Sequence, residues 1–100
     1  MITKSNINMF TNKRYTKLKY DGFEKNLTLK QRLYDGWHWQ FEFENGWVVS
    51  VIKHMFSYGG KHNLFEAMQY KKQEVCEADI FGDMSNDEVL KLLRLTKSLR

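Results

Sequence analysis

One hairpin constrains this chain more than any other feature, and it spans residues 37–55, WHWQFEFENGWVVSVIKHM. In its first half, aromatic and polar residues alternate over eight positions, which is the period of a strand with one apolar face. The rings on that face belong to Trp37, Trp39, Phe41 and Phe43. Asn45 and Gly46 follow, and they supply the positive φ angles that a tight turn between antiparallel strands requires. The segment therefore predicts an antiparallel sheet.

The register of this hairpin has two solutions. A two-residue Asn-Gly loop gives the aromatic row one set of neighbours on its own face: Val48, Ser50 and Ile52. A three-residue Glu-Asn-Gly loop with Gly46 in a bulge gives it another: Trp47, Val49 and Val51. Because both faces of the second run are apolar, the strand 47–53 is predicted to be covered on both sides and to lie in the middle of the sheet.

Length and composition are typical of a single globular domain over residues 1–100. The chain has 42% hydrophobic and 15% aromatic residues and no proline, enough for one core without a disulfide. Residues 1–12 are interpreted either as a flexible arm or as a first strand. The single cysteine, Cys76, cannot form an intramolecular disulfide. The first ten residues lack the apolar stretch of a signal peptide, and no run approaches 18 apolar residues, so we expect a soluble protein of a reducing compartment.

Before the hairpin, two segments are predicted to be extended. Weak alternation of apolar residues and lysines predicts a strand over 14–20, and a turn follows at Asp21 and Gly22. The segment 23–34 is predicted to be an irregular strand, with a short helix through Leu33 as the alternative.

After the hairpin, a loop with two glycines at 56–63 is followed by more strands. Apolar runs predict strands over 64–70 and 74–81, and the second of these is anchored by Val75 and Ile80.

The end of the chain predicts a helix over 85–98. Ser85 and Glu88 form a capping box, and acidic residues in the first turn and basic residues in the last complement the helix dipole. One face is apolar and is predicted to pack on the sheet: Val89, Leu92, Leu93, Thr96 and Leu99.

These elements predict an α+β fold, a curled antiparallel sheet of about four or five strands with one C-terminal helix packed on it. The aromatic row of the hairpin is predicted to form the core. The alternative keeps Trp37 or Trp47, near the strand ends, exposed as binding anchors.

No residue pattern points to catalysis or to a bound cofactor. His38, His54 and His62 are dispersed, without the spacing of a metal site. The carboxylates that surround Cys76 in the sequence disfavour a reactive thiolate, and the acidic residues of 74–88 lack the spacing of a calcium loop. We therefore expect no enzyme, no metal and no cofactor.

Charge singles out the first third of the chain. Residues 1–35 hold eight Lys and Arg against three carboxylates, whereas the net charge of the whole chain is +4. The run NKRYTKLKY interleaves cations with Tyr15 and Tyr20, which is the composition of a strand that faces nucleic acid, although a solvated basic strand is the simpler explanation.

The loop SYGGK at 57–61 is a second candidate, either as a nest of backbone amides that binds an anion or as an ordinary connection between strands. Loops on a rigid scaffold commonly carry binding residues. Together, the basic segment and the loop give the predicted partner-binding residues: Lys13, Arg14, Lys17, Lys19, Tyr58 and Lys61.

About half of the chain resembles a group of small phage-encoded proteins. The shared features are Asn45-Gly46, Ser50-Val51, the Ser-Tyr-Gly-Gly run 57–60, the segment 64–66 and the helix at 85–99. The resemblance implies a phage origin and, by association with other small phage proteins, a counter-defence role in the cytoplasm of a bacterial host cell.

That resemblance implies a non-catalytic inhibitor that binds a host defence complex such as a CRISPR effector. Since the net charge has the wrong sign for a DNA mimic, we expect it to dock on an acidic protein face or on a protein–RNA complex, away from membranes. Two alternatives stay open: a nucleic-acid-binding module that uses the basic N-terminal strand with direct nucleic-acid contact, and, less favoured, an enzyme or nucleotide sponge that uses the glycine loop.

Overall fold

Strong strand formers separated by short turns give this chain a sheet in which every strand pairs with its neighbours in sequence. The structure is a computed structural model, and it describes residues 15–100. The five strands are β1 (Leu27–Leu33), β2 (Gly36–Glu42), β3 (Trp47–Lys53), β4 (Phe65–Lys71) and β5 (Asp79–Met84), and they are followed by one helix, α1 (Asn86–Lys97). All four pairings are antiparallel, in the order β1-β2-β3-β4-β5. The predicted fold class is confirmed, although the sheet is not strongly curled.

The hairpin adopts the second of its two predicted registers. Val51 lies opposite Trp39 and Val49 lies opposite Phe41. The Phe43 amide donates to the Trp47 carbonyl oxygen (3.0 Å), which leaves Glu44, Asn45 and Gly46 as the three-residue loop. Gly46 has a φ of 87°, the left-handed conformation that a bulge of this type requires. This register places two valines in the core beside the aromatic rings, where the other would have buried a serine.

The core lies on one face of the sheet, which we call the inner face. Segment 15–23 packs on this face through Tyr20, whose ring meets that of Phe41, and through Phe23, whose ring meets that of Phe43. Helix α1 packs on β3, β4 and β5. The buried cluster comprises Leu18, Phe23, Trp39, Phe41, Phe43, Val49, Val51, Phe65, Ala67, Met84, Val89, Leu92 and Leu93. The predicted aromatic core is confirmed, and only Trp37 of the row is half-buried.

Strand β3 occupies the middle of the sheet, as predicted. Besides its inner-face valines, it buries Val48 on the opposite face, which we call the outer face. The rest of the outer face is partly exposed, and it carries Ile52 of the same strand. The central position is as predicted, but the predicted coverage of both faces is only partial, because on the outer face Val48 is buried whereas Ser50 and Ile52 are half-buried.

Helix α1 begins with the predicted capping box. Glu88 donates its backbone N–H to the Ser85 hydroxyl (3.1 Å), and Ser85 donates its own N–H to the Glu88 carboxylate (2.9 Å). The buried face is Val89, Leu92, Leu93 and Thr96. Leu99 was predicted to share this face, but the helix ends at Lys97, and the side chain of Leu99 is exposed.

The prediction of a strand over 14–20 is wrong for the part that the structure describes. Residues 15–20 have no regular secondary structure, because the amides of Thr16 and Lys19 donate to the side chains of Asn63 and Asn86 and not to a neighbouring strand. The segment 23–34 is extended over β1, as predicted, after a single 3-10 turn at Glu24–Asn26.

The fourth predicted strand is displaced. Val75 lies in a 3-10 turn (Val75–Glu77), and β5 begins only at Asp79. Neither predicted anchor is buried: Val75 is 53% exposed and Ile80 is 59% exposed. β5 lies at an edge of the sheet, and Ile80 points to the outer face of the sheet. Alternation alone would place Val75 and Ile80 in a core, but at this edge both side chains lie in solvent.

No helix among the described residues is long and apolar enough to span a membrane.

Candidate binding surface

Trp37 is the centre of a cluster of positive charges. Its indole stacks beside that of Trp39, with 6.3 Å between ring centroids and 23° between planes. Three cations lie close to its ring centroid: Lys17 Nζ at 4.9 Å, Arg32 Cζ at 4.8 Å and Lys30 Nζ at 5.7 Å. We call these four residues the tryptophan–cation cluster. Each contact is a cation–π interaction, of the order of 0.5–1 kcal/mol where it is exposed.

The strand register brings two of these cations to Trp37. Arg32 lies directly opposite Trp37 in the pairing of β1 with β2, and Lys30 lies opposite Trp39. Because side chains alternate along a strand, the run Lys-Gln-Arg places both cations on the inner face. Lys17 comes from the irregular segment that crosses this face.

No carboxylate of residues 15–100 forms a salt bridge with the cluster. Within residues 15–100 the recorded ion pair joins Lys72 to Glu42 (2.9 Å) and involves none of the cluster. Residues 1–14 contain neither Asp nor Glu. Arg32 instead donates a long hydrogen bond to the backbone oxygen of Asp35 (3.4 Å). Three like charges around one ring repel one another, so an anionic partner would relieve that repulsion.

Beside the cluster runs a groove of about 580 Å³, which adds Lys19 to the same surface. Its lining residues are Lys17, Leu18, Lys19, Tyr20, Asp21, Glu24, Lys30 and Trp39. Lys17 and Lys30 belong both to this groove and to the tryptophan–cation cluster, and Asp21 and Glu24 line the groove with them.

Distant hydrogen bonds hold the segment that carries Lys17 and Lys19. The Thr16 amide donates to Asn63 Oδ1 (2.9 Å), and the Lys19 amide donates to Asn86 Oδ1 (2.7 Å). Asn86 Nδ2 in turn donates to the Lys19 carbonyl oxygen (2.8 Å). The irregular backbone is therefore fixed at both ends, and its basic side chains project from a rigid support.

A buried lysine of β3, Lys53, also holds this segment through hydrogen bonds. Lys53 is 1% exposed, and its ammonium donates to the Thr16 carbonyl oxygen (2.9 Å) and to Asn63 Oδ1 (3.0 Å). Its Nζ also lies 3.7 Å from the centroid of the Phe65 ring. Burial lowers the pKa of Lys53 to about 8. This residue shares the inner face because of the hairpin register, and its buried position makes it a support for the surface.

Exposed aromatic side chains lie at the end of the sheet where β2 begins. Tyr34 lies in the turn between β1 and β2, and its ring centroid is 4.9 Å from that of His54 and 5.0 Å from that of Phe56. The exposed side chains of this turn and of the loop after β3 are Tyr34 (67%), Met55 (51%), Phe56 (67%) and Tyr58 (70%). We call these four residues the aromatic end.

His54 holds the aromatic end in shape. Its Nδ1 accepts the Phe56 amide (3.1 Å), which fixes the proton of the neutral ring on Nε2. The Ser57 hydroxyl accepts the His54 amide (3.0 Å) and donates to the His54 carbonyl oxygen (2.9 Å). Burial lowers the pKa of His54, against the opposing influence of Asp35 and Glu66. The neutral imidazole is therefore the form that this turn requires.

The glycine loop has the features of an ordinary connection between strands, the simpler of its two interpretations. Amides of Ser57, Gly60, His62 and Asn63 donate to carbonyl oxygens nearby. The Tyr58 amide donates to the Glu66 carboxylate (2.7 Å), so a side chain of the protein already occupies that position. A Cβ on Gly60 would lie 1.9 Å from the His54 carbonyl oxygen, so the glycine is needed for close packing. The loop is an ordered connection between β3 and β4.

The predicted binding residues divide into two groups. Lys17 and Lys19 lie on the groove beside the tryptophan–cation cluster, whereas Tyr58 and Lys61 are exposed on the loop after β3. No recorded contact within residues 15–100 joins the two groups. Lys13 and Arg14 lie outside the described residues.

Sequence reasoning missed Lys30 and Arg32, as well as Tyr34 and Phe56. The signal for the first pair was present, since the two cations are two residues apart on a strand whose partner carries Trp37. Tyr34 and Phe56 stand in turns, where a ring has no neighbouring strand to cover it. Of the two suggested anchors, Trp37 is half-buried within the cluster, and Trp47 is half-buried with its indole N–H unbonded.

A histidine and a serine meet on the outer face. His38 Nε2 lies 2.7 Å from Ser50 Oγ, and burial, followed by the nearby His54, lowers the pKa of His38. The hydrogen bonds recorded for residues 15–100 include no carboxylate on His38, so the pair lacks the third group that orients a catalytic histidine. Within the same residues, no group of three His, Cys, Asp or Glu side chains is placed to hold a metal ion.

No protein-family model matches this chain, and no curated protein or solved structure is significantly similar to it. The resemblance of its glycine-loop region to small phage-encoded proteins therefore stays a prediction.

Proposed function

We propose that this protein is a non-catalytic phage counter-defence protein that binds and inhibits a host defence complex such as a CRISPR effector. The observation that supports docking is the tryptophan–cation cluster, in which Lys17, Lys30 and Arg32 surround one indole and, among residues 15–100, form no salt bridge with a carboxylate. The choice of a defence complex rests on the resemblance to small phage-encoded proteins.

The cluster favours an anionic partner, either an acidic protein face or the phosphate groups of a protein–RNA complex. Exposed cations attract such a partner over several ångströms and raise the association rate at low salt. The indole restrains the three side chains before binding, so less side-chain entropy is lost in the complex.

The aromatic end supplies the second part of the proposed interface. Tyrosine is enriched among interface residues whose truncation costs the most binding energy, and exposed apolar groups of this size commonly mark binding sites. Tyr34 and Phe56 are held by contacts with each other and with His54, so both rings are presented in a fixed orientation.

A nucleic-acid-binding module is the second candidate, and the same cluster favours it. Cations crowd the Trp37 ring, so contact with phosphate is better supported than stacking of a base on the indole. Fluorescence anisotropy with labelled single-stranded RNA and DNA measures this directly. Each phosphate contact should contribute about −0.7 to the slope of log K against log salt concentration. Tight binding to bare oligonucleotides with a steep slope would favour this candidate over protein docking.

The test of the counter-defence proposal uses charge reversal at the groove. Tagged wild-type protein is incubated with a bacterial host lysate, and the captured complex is identified and then reconstituted from purified components. We expect Lys17→Glu/Lys19→Glu to fold normally, because exposed charges contribute little to stability. The association rate with the purified partner should fall about tenfold or more at low salt.

The matched control is Lys91→Glu/Arg94→Glu, which makes the same change in net charge on the exposed face of α1. It should associate at nearly the wild-type rate. A host that expresses the wild-type chain should also lose its defence against phage infection, and one that expresses the groove variant should keep it. If both double variants bind alike, or if the wild-type chain leaves host defence unchanged, the proposal is wrong.

A further inference from the structure

Within the described residues, the sheet has two edges, and each leaves one side of a strand without a partner strand. β1 pairs only with β2, and β5 pairs only with β4. An open edge presents backbone N–H and C=O groups that can pair with another strand.

The two edges carry opposite charge. β1 carries Lys30 and Arg32, both exposed, whereas β5 carries Asp79 and Asp83 and follows Glu77 in the preceding turn. Pairing of two β1 edges would bring cations together, and pairing of two β5 edges would bring carboxylates together. Only the union of β1 with β5 places unlike charges side by side.

The faces of the two strands also match. On the inner face, Lys30 and Arg32 of β1 correspond to Asp79 and Phe81 of β5, as their partners in the sheet show. On the outer face, Leu29 and Leu33 of β1 correspond to Ile80 of β5. A joined sheet would therefore set charge against charge on one face and apolar side chains together on the other.

A small apolar groove next to β5 would receive the inner-face side chains. It has a volume of about 240 Å³ and is lined by Phe81, Met84, Glu88, Lys91, Leu92 and Leu95. Phe81 is 36% exposed and Leu95 is 55% exposed. The aliphatic stems of Lys30 and Arg32 can cover such a surface while their charged ends reach Asp79 and Glu88.

We propose that this protein self-associates head to tail, with β1 of one copy added to β5 of the next as a continuation of the sheet. The contact is heterologous, since two different surfaces meet, so each added copy leaves one β1 edge and one β5 edge free. The regular pairing of β5 covers only Asp79 to Phe81, and a bulge interrupts the ladder after it. The association is therefore expected to be weak and to depend on concentration.

This self-association is separate from the proposed counter-defence function, although both use Lys30 and Arg32. Partner binding also needs Lys17, which belongs to the crossing segment and lies off β1. A partner bound at the tryptophan–cation cluster would compete with the next copy, so the chain would bind its target as a monomer.

Sedimentation velocity of the full chain over a range of concentrations tests the proposal. We expect the wild-type sedimentation coefficient to rise with concentration at low salt, without a plateau at the dimer, and to fall back to the monomer value at high salt. A wild-type chain that stays monomeric up to millimolar concentration at low salt, or a dimer that grows no further, would overturn the proposal.

Charge reversal of the edges gives the second measurement. Lys30→Glu/Arg32→Glu makes both edges acidic, and Glu77→Lys/Asp79→Lys makes both edges basic, so each variant alone should be monomeric. An equimolar mixture of the two should associate again, and so should a single chain that carries all four changes. Arg94→Glu/Arg100→Glu is the control for net charge and should behave like the wild type. Circular dichroism verifies that each variant is folded.

If each edge variant loses association and the mixture does not recover it, the two edges do not meet. If the edge variants associate as strongly as the control, the edges do not meet either. Neither result bears on partner capture, because Lys17→Glu/Lys19→Glu leaves both edges intact.

Discussion

At the scale of single residues, Lys53 is the most unusual side chain of the molecule. It is buried, and among residues 15–100 no acidic side chain forms a salt bridge with it. One carbonyl oxygen, one amide oxygen and the face of a phenyl ring hold its ammonium. Burial of an unneutralised ammonium costs free energy. The hydrogen bonds of Lys53 offset part of that cost, and they join segment 15–17 to the loop at Asn63.

This burial has a signature in the pH dependence of stability. Between the pKa of Lys53 in the folded chain, about 8, and its ordinary value of 10.5, the unfolded chain holds a proton that the folded chain has released. The contribution of Lys53 to the free energy of unfolding therefore rises with pH across this window. Tyr15 acts in the opposite sense above pH 10, since burial and the hydrogen bond to Asp35 raise its pKa to about 12.

We therefore predict that Lys53→Met removes the rise in stability between about pH 8 and pH 10. Urea denaturation at a series of pH values measures the effect, with Lys91→Met on the exposed face of α1 as the control. Parallel stability profiles for the wild type and Lys53→Met would mean that the lysine has an ordinary pKa in the folded chain.

At the scale of elements, the turn after β2 depends on one glycine. Gly46 has a φ of 87°, a conformation that a β-branched residue resists. We predict that Gly46→Val lowers the free energy of unfolding by about 1 kcal/mol or more. Glu44→Val in the same loop is the control, since Glu44 is exposed and has a negative φ. Equal thermal midpoints for the two variants would contradict this role of Gly46.

The docking of α1 rests on its buried leucines. Leu93 is fully buried within the core cluster, whereas Leu95 on the same helix is 55% exposed. We predict that Leu93→Ala costs about 2–4 kcal/mol of stability, and that Leu95→Ala stays within about 0.5 kcal/mol of the wild type. Chemical denaturation of both variants measures the difference, and similar losses would show that the helix packs with another face.

Elements with local chemical signals were predictable from the sequence. The capping box of α1 and the alternation of β2 depend on residues a few positions apart, and both are present as predicted. Segment 15–20 was not predictable, because its path is set by Asn63 and Asn86, which are 47 and 67 residues away from their partners. The start of β5 was not predictable for the same reason. Its position at the edge depends on the complete sheet and not on nearby residues.

At the scale of the whole molecule, the sequence located the positive charge but not its arrangement. The basic excess before residue 36 drew attention to Lys17 and Lys19, which line the groove beside the cluster. The tryptophan–cation cluster additionally needs the pairing of β1 with β2, which brings Lys30 and Arg32 to the same indole. The two edge strands thus differ in charge, since β1 is basic and β5 is acidic. This difference determines where the proposed partner and the proposed neighbouring copy would bind.

The order of the strands also bears on how the surface is assembled during synthesis. Every strand pairs with the next one in sequence, so the sheet can grow by successive hairpins with short loop closures, a topology that favours rapid folding. Segment 15–19 is the exception, because Lys19 is held by Asn86 at the start of α1. On a ribosome this anchor emerges after all five strands. The basic segment is therefore secured last, and the nascent chain gains its complete groove only when its final helix is free to dock.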